Sequence, residues 1–453
     1  MKIRTWALVA LPLSLAGSVA LAQPADPAAP AAAPAASVSA EGSASVAPAA
    51  SASVLPAPAS SAVVAPAPAA PVAGPVAPVA APAPAKEHAP EHKKEAHWYE
   101  KIKIRGYAQI RYNRAFASNL QYVNEQGDKS IGDNGGFFLR RARLIVYGDV
   151  HDHVSIYLQP DFANAIADNA HVVALRDWYT DVFLDKSKEF RFRIGQSKVP
   201  YGFENMQSSQ NRLAFDRSDG INSAFSNERD LGVFFYWATK EARARFKELV
   251  DSGLKGSGDY GVFGLGLFNG QTANKKDLND DKHVVAHLTY PFKFGGQFVE
   301  ASLHGYRGQY VIATDSSVTV PNTTFLDWRA AASLVVYPQP FGFQVEYNIG
   351  EGPERDFDAK TVEKKKLHGG YALVNFKAGP FFPYVRGLIY EGGKKHETNA
   401  PSYSNKELEA GVEWLPWKAF ELTAAYTFGE RTNPKSNRQE QGHLLRLQAQ
   451  FNY

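Results

Sequence analysis

From about residue 101 onward, polar and apolar side chains alternate along the chain with period two. Lys101, Lys103, Arg105, Tyr107, Gln109, Arg111 and Asn113 share one face, and Ile102, Ile104, Gly106, Ala108, Ile110 and Tyr112 share the other. Such alternation marks a strand with two unlike faces. The run is longer than strands of soluble sheets and close to what a tilted strand needs to cross a bilayer, about 9–11 residues plus ends. The same pattern closes the sequence. Leu445, Leu447, Ala449, Phe451 and Tyr453 alternate with Arg446, Gln448, Gln450 and Asn452. An apolar/polar dyad running to a terminal aromatic reads as the closing strand of an outer-membrane barrel, with lipid on one face and a wet lumen on the other.

Comparable runs lie between these two, at 138–150, 154–162, 175–185, 190–197, 230–237, 260–268, 283–292, 298–306, 325–337, 341–349, 366–377, 382–391, 406–414 and 420–429. The total is about sixteen, an even number that puts both ends of the barrel on the periplasmic side. The fold expected over residues 98–453 is all-β, a transmembrane antiparallel β-barrel. Periplasmic turns should be short, as at 151–153, 186–188, 337–340, 378–380 and 416–418. Longer outer links are expected at 115–136, before residue 175, at 199–228 and at 309–324. Trp98, Tyr99, Trp178, Trp237, Tyr290, Tyr337, Trp414, Trp417 and Tyr453 fall near strand ends, where aromatic rings favour the bilayer interface.

The first hundred residues are different. Residues 1–22 read as a cleavable signal peptide: Lys2 and Arg4, then an apolar stretch, then Ala20-Leu21-Ala22. Residues 23–97 form a linker dominated by Ala and Pro, a composition that builds no core and predicts a disordered, polyproline-like spacer on the periplasmic side. His88, His92 and His97 near its end have no fixed geometry for a metal, so a solvated linker is the plainer reading. The chain has no Cys, which fits export. No run of about 20 apolar residues follows the leader, so helical spans are not expected. A net charge of +3 gives no reason to expect nucleic acid as a partner.

Within a barrel the chemistry lies on the inward face. The alternation turns Arg105, Arg111, Arg141, Arg143, Arg191 and Arg193 inward, enough for a basic wall that favours anions. The planar guanidinium fork suits phosphate. Arg140 falls on the lipid-facing register. Carboxylates also point inward: Asp177, Asp181 and Glu189, then Glu300, Glu346, Glu409, Glu413 and Glu421. A general porin with opposed charges and no strong preference therefore stays open as an alternative. The link 199–228 follows Lys198 and carries Arg212, Asp216, Arg217, Asp219 and, just beyond it, Arg229. It is long enough to fold inward as a constriction, or to sit outside as a cover or trimer latch. His283, His287 and His304 lie on strands with no Ser partner identifiable by spacing, so no catalytic set, metal or cofactor is expected.

Several segments arrive together in a recognisable order. FFLRRARLIVYGDV at 137–150 is followed by IYLQPDF at 156–162, LRDWYTDVFL at 175–184, FRIGQSKVPYGFENMQSS at 192–209 and ERDLGVFFYW at 228–237. This series resembles the phosphate-selective porin O and P family. The resemblance implies a sixteen-stranded homotrimeric porin in the outer membrane, in contact with its lipid, passing phosphate or related anions. By motif position it implies that Arg141, Arg143 and Lys198 line the path. The inward acids of the C-terminal strands and the Ala/Pro spacer depart from the family pattern. The spacer suggests peptidoglycan contact, or a structural protein tethered to the cell wall, as a further alternative.

Overall fold

The computed structural model describes residues 97–116, 136–166, 169–433 and 436–453. The leader, most of the Ala/Pro segment with His88 and His92, and the link 117–135 lie outside the described residues. Sixteen strands close into one antiparallel barrel, each paired with its neighbours in sequence. The first eight are β1 (Ile102–Phe116), β2 (Gly136–His151), β3 (Val154–Ile166), β4 (Asn169–Phe183), β5 (Phe190–Lys198), β6 (Arg229–Trp237), β7 (Phe263–Phe268) and β8 (His283–Phe294). The others are β9 (Gln297–Val311), β10 (Thr324–Val336), β11 (Phe341–Asp356), β12 (Thr361–Phe376), β13 (Phe381–Gly393), β14 (Ser402–Trp417), β15 (Phe420–Asn433) and β16 (Arg438–Asn452). The expected run at 260–268 shortens to β7, and the long link expected before residue 175 does not exist. Pairing instead continues to Ile166 and Asn169, because register shifts along β3 and β4 absorb the broken alternation there.

β1 pairs with β16 to complete the wall. At this seam Tyr453 N–H donates to Gly106 O at 3.0 Å and Gly106 N–H to Tyr453 O at 2.6 Å. A Cβ on residue 106 would lie 2.4 Å from the Tyr453 ring, so only glycine lets that ring cross the seam. Closure leaves no open edge, which a sheet in hydrocarbon requires. The two faces follow the sequence pattern. Arg446, Gln448 and Gln450 are buried inside, while Leu447 and Phe451 are exposed outside.

The end of the barrel that carries Ile102 and Asn452 is ringed outside by aromatics. Phe341 meets Phe376 at 4.7 Å, Phe420 meets Phe451 at 5.4 Å, and Phe381 stacks on Trp414 at 6.4 Å. Two expected girdle residues sit elsewhere. Trp178 lies within β4, not at its end. Tyr337 turns inward, is fully buried and donates its hydroxyl to Glu300 at 2.6 Å. A buried carboxylate needs a donor, and that need outweighs the interfacial preference of the ring.

The interior is not an empty tube. Residues 199–228 enter it from the end opposite the seam residues, and residues 238–262 enter from the seam end. β5 and β6 have nine residues each and β7 has six, so the shortest strands flank these two departures. The second segment is nucleated by the helix Lys240–Asp251, capped by Thr239, whose hydroxyl accepts from Ala242 N–H at 3.2 Å. Ala, Glu, Lys, Arg and Leu favour helix, and Ala242, Phe246 and Leu249 bury one face. The insert 238–262 is therefore anchored inside the barrel by an apolar stripe.

Candidate functional site

Both in-folded segments lean on one half of the barrel. Residues 199–228 pack Leu213, Phe215 and Ile221 against Tyr371, Phe382, Tyr384 and Leu388. Val199, Tyr201 and Phe225 pack against Phe268, Val285 and Tyr306. On β12 the approach is backbone to backbone: a Cβ on Gly220 would lie 2.5 Å from Gly369 C. Asn348 fastens the contact by donating its side-chain amide to Gly369 O at 2.8 Å, and to Gly220 O as well. The seam-end insert buries Leu249 and Leu254 with Phe203, Phe298, Val335 and Tyr337. Each such apolar side chain removed from water contributes about 1.5–3 kcal/mol. The two segments meet where Gln207 donates to Lys255 O.

What stays open is a cavity of about 700 Å³ along the other half, against β1–β6. Its lining includes Lys103 and Arg105, Arg143 with Tyr147, Tyr157 and Gln159, Asp177 with Tyr179, Arg193 and Lys198. Ser208 to Asn211 close one side, and Lys247, Asp251 and Asp259 of the insert close another.

The inward arginines divide into two groups. Most are clamped. Arg111 is fully buried and donates to Asp216 at 2.9 Å and to Gln448 at 2.8 Å. Arg143 donates to Asp161 and to the Tyr107 hydroxyl, each at 2.8 Å. Arg193 forms a two-point bond with Asp181 at 2.8 and 2.9 Å. Arg191 pairs with Asp259 of the insert at 3.0 Å. Arg217 pairs with Glu228 and donates to Glu204 O at 2.9 Å. Of the cations expected at the site, Arg105, Arg141, Lys198 and Arg212 have no carboxylate within ion-pair distance among the described residues. Arg105 bonds Gln210 at 3.2 Å, and Arg141 bonds Gln109 at 2.7 Å. Lys198 donates to the carbonyls of Met206 and Gln207, at 2.9 and 2.8 Å. Arg212 donates to the carbonyls of Ala214 and Phe215. Lys198 and Arg212 thus hold the loop's shape.

Arg140 corrects the sequence reading. The β1–β2 register shifts between Gln109 and Ile110, so that Gln109 faces Arg141 while Ile110 faces Leu139. Arg140 is the extra residue of this bulge, and it turns inward, 3.5 Å from Asp216. A bulge breaks strict alternation, and alternation alone could not reveal it. Asp216 becomes a hub. Besides Arg111 and Arg140 it receives Arg446 at 2.8 Å. Burial opposes its charge, but Arg111, Arg140 and Arg446 hold its carboxyl well below the usual range. Arg212 is lowered to about 10 by burial and by Arg217.

Arg446 and Arg386 were on inward positions of the alternation, but their role is visible only in three dimensions. Arg386 donates to Asp216 O at 2.7 Å and to Glu204 at 3.1 Å, and Arg446 also pairs with Glu409. The inward acids of the C-terminal half are likewise engaged. Glu346 accepts the backbone N–H of Phe203 and, at 3.1 Å, of Glu204. Glu413 pairs with Lys255 of the insert. Burial works against the Lys255 charge, yet Glu413 and Glu421 raise its pKa. Among the described residues no group of three or more His, Asp or Glu is placed to hold a metal.

Comparisons with known proteins agree with this architecture. The sequence model of the family described as phosphate-selective porin O and P matches residues 110–453. The outer membrane channel DcaP of Acinetobacter baumannii is 13% identical with a TM-score of 0.50, covering 78% of this chain and 97% of that one. Salmonella typhi OmpF, in complex with daunomycin, is 12% identical with a TM-score of 0.52 over the same shares. At such identities the likeness shows the fold alone. No curated protein sequence matches the chain.

Proposed function

We propose that this chain, which belongs to the phosphate-selective porin O and P family, passes small anions across the outer membrane by passive diffusion along the β1–β6 wall. One observation carries the reading. Seven cationic side chains line the open cavity against three carboxylates, Asp177, Asp251 and Asp259. A cleft with one sign of charge in excess and low-dielectric walls concentrates the opposite ion. Rings of Arg and Lys are how pores favour anions and phosphate. Phosphate or polyphosphate is the substrate class that the family and the guanidinium fork both support. Arg105, Arg143 and Lys198, which line this cavity, are the residues proposed for the path, with residues 199–228 as the constriction.

A general porin with little preference is the second reading. It is favoured by the pairing of Arg143, Arg193 and Arg229 with Asp161, Asp181 and Asp177. The reversal potential of the protein in a planar bilayer under a KCl gradient separates the two. Anion selectivity that weakens in Arg105→Gln supports the first; selectivity near zero, unchanged by that variant, supports the second. The homotrimer implied by the family, the cleavable leader at 1–22 and peptidoglycan contact through 23–97 complete the proposal. Native mass spectrometry, N-terminal sequencing and a cell-wall pull-down test them in turn.

A further inference from the structure

The cavity is much larger than an inorganic ion needs. Its volume is about 700 Å³, against ~30 Å³ for one water molecule in the liquid. One wall is a row of tyrosines. Tyr147 on β2, Tyr157 on β3 and Tyr179 on β4 stand directly opposite one another in the strand pairing. Tyr157 and Tyr179 stack with centroids 5.0 Å apart and planes 8° apart, and Tyr147 follows at 6.4 Å. The guanidinium carbon of Arg193 lies 3.8 Å from the Tyr179 centroid, and that of Arg105 lies 5.6 Å from Tyr147.

The ring faces are thus taken by one another and by two cationic caps. That leaves the ring edges, with their hydroxyls, toward the cavity. Tyr157 donates its hydroxyl to Gln159 at 2.8 Å. The hydroxyls of Tyr147 and Tyr179, and of Tyr260 on the insert, find no hydrogen-bond partner among the described residues. A phenol hydroxyl both donates and accepts. Inorganic phosphate near neutral pH keeps few protons on a compact ion, so it offers few donors and reaches few of these hydroxyls. An alcohol meets both roles, while the guanidiniums take the charged end.

We propose that this cavity prefers hydroxylated organic phosphates of the hexose phosphate class to inorganic phosphate, with Arg105 taking the phosphoryl group and Tyr147, Tyr179 and Tyr260 bonding the sugar hydroxyls. The inference rests on the reading that anions pass this cavity. The test uses the full chain in planar bilayers with chloride as charge carrier. Glucose 6-phosphate should half-block the current at a concentration about tenfold below that of inorganic phosphate, as roughly two hydrogen bonds of ordinary net strength would give. In the triple variant Tyr147→Phe, Tyr179→Phe, Tyr260→Phe the stacked rings remain. There the two anions should block within about twofold of each other. Equal block in the native protein, or an advantage that survives in the variant, overturns the preference alone. Cation selectivity without block by either anion overturns the anion reading itself.

Discussion

Asp216→Asn removes the charge at the centre of the in-folded segment 199–228 while keeping its shape. Three guanidiniums converge on that carboxylate: Arg111 at 2.9 Å, Arg446 at 2.8 Å and Arg140 at 3.5 Å. The side chains of Arg111 and Arg446 are 0% and 2% exposed, so water cannot replace the lost partner. Breaking a buried pair from one side costs about 3–5 kcal/mol. Arg446 keeps Glu409 and Arg111 keeps Gln448, which places this site near the low end, about 3 kcal/mol. A change of that size favours the unseated loop by roughly 100-fold. The barrel wall does not depend on it, so the loss should stay local to residues 199–228. Single-channel recordings should show open-level flicker absent from the native protein, and trypsin should cut after Arg212 and Arg217. A variant as quiet and as resistant as the native protein would refute Asp216 as the hub.

Three further outcomes follow from the same geometry. In Arg140→Cys, the new thiol is the sole one in a chain without Cys. A charged, water-soluble thiol reagent should modify it and reduce current, whereas a lipid-facing residue would not react. Lys255→Met strands Glu413 without its buried cation, and the seam-end insert should detach, raising conductance while the thermal midpoint of the wall is kept. On acidification, the carboxyls of Asp216 and Glu228 have folded pKa values below those of the unfolded chain. Their tethers are fully present above the unfolded value of about 4 and weaken as pH falls below it. His396 has the opposite chemistry: burial and Lys395 hold it neutral, and its Nε2 accepts from Ser226 N–H at 3.1 Å. A base with a depressed folded pKa loses stability once pH drops below its unfolded value of about 6.5. A spin label at Thr398→Cys should therefore gain mobility as pH falls below about 6.5, before segment 199–228 loosens.

The strand ladder was legible because one face must meet lipid and the other water, and that demand is written into every second residue. All sixteen runs correspond to strands, including those with Pro or Gly inside them. The interior was less legible. Tyr337 and Arg140 obey local hydrogen bonding and a bulge, and neither leaves a trace in alternation. Whether 199–228 folded inward depended on partners far away in sequence, such as Glu346 and Asn348. The helix in the insert 238–262 and the burial of Leu249 and Leu254 were not legible, since two leucines in a charged run do not say which surface they meet. The acids of the C-terminal strands looked like an opposing charged wall. They serve as fasteners for the two segments instead, because buried carboxylates must find donors.

The seam has a consequence for how such a chain is made. Gln109 on β1 bonds Gln450 on β16, and the two are 341 residues apart. Closing a flexible loop of that length directly from the unfolded chain would cost about 5 kcal/mol of entropy by the logarithmic rule, comparable with the whole net stability of many domains, so pairing sequence neighbours first is the cheaper route. Docking β16 on β1 is then the natural final event of assembly. Until it happens the molecule is an open ribbon with two unpaired margins, each able to recruit a strand from another copy. Safe passage of that unfinished ribbon to its membrane is as much a demand on the cell as the finished wall is on the sequence.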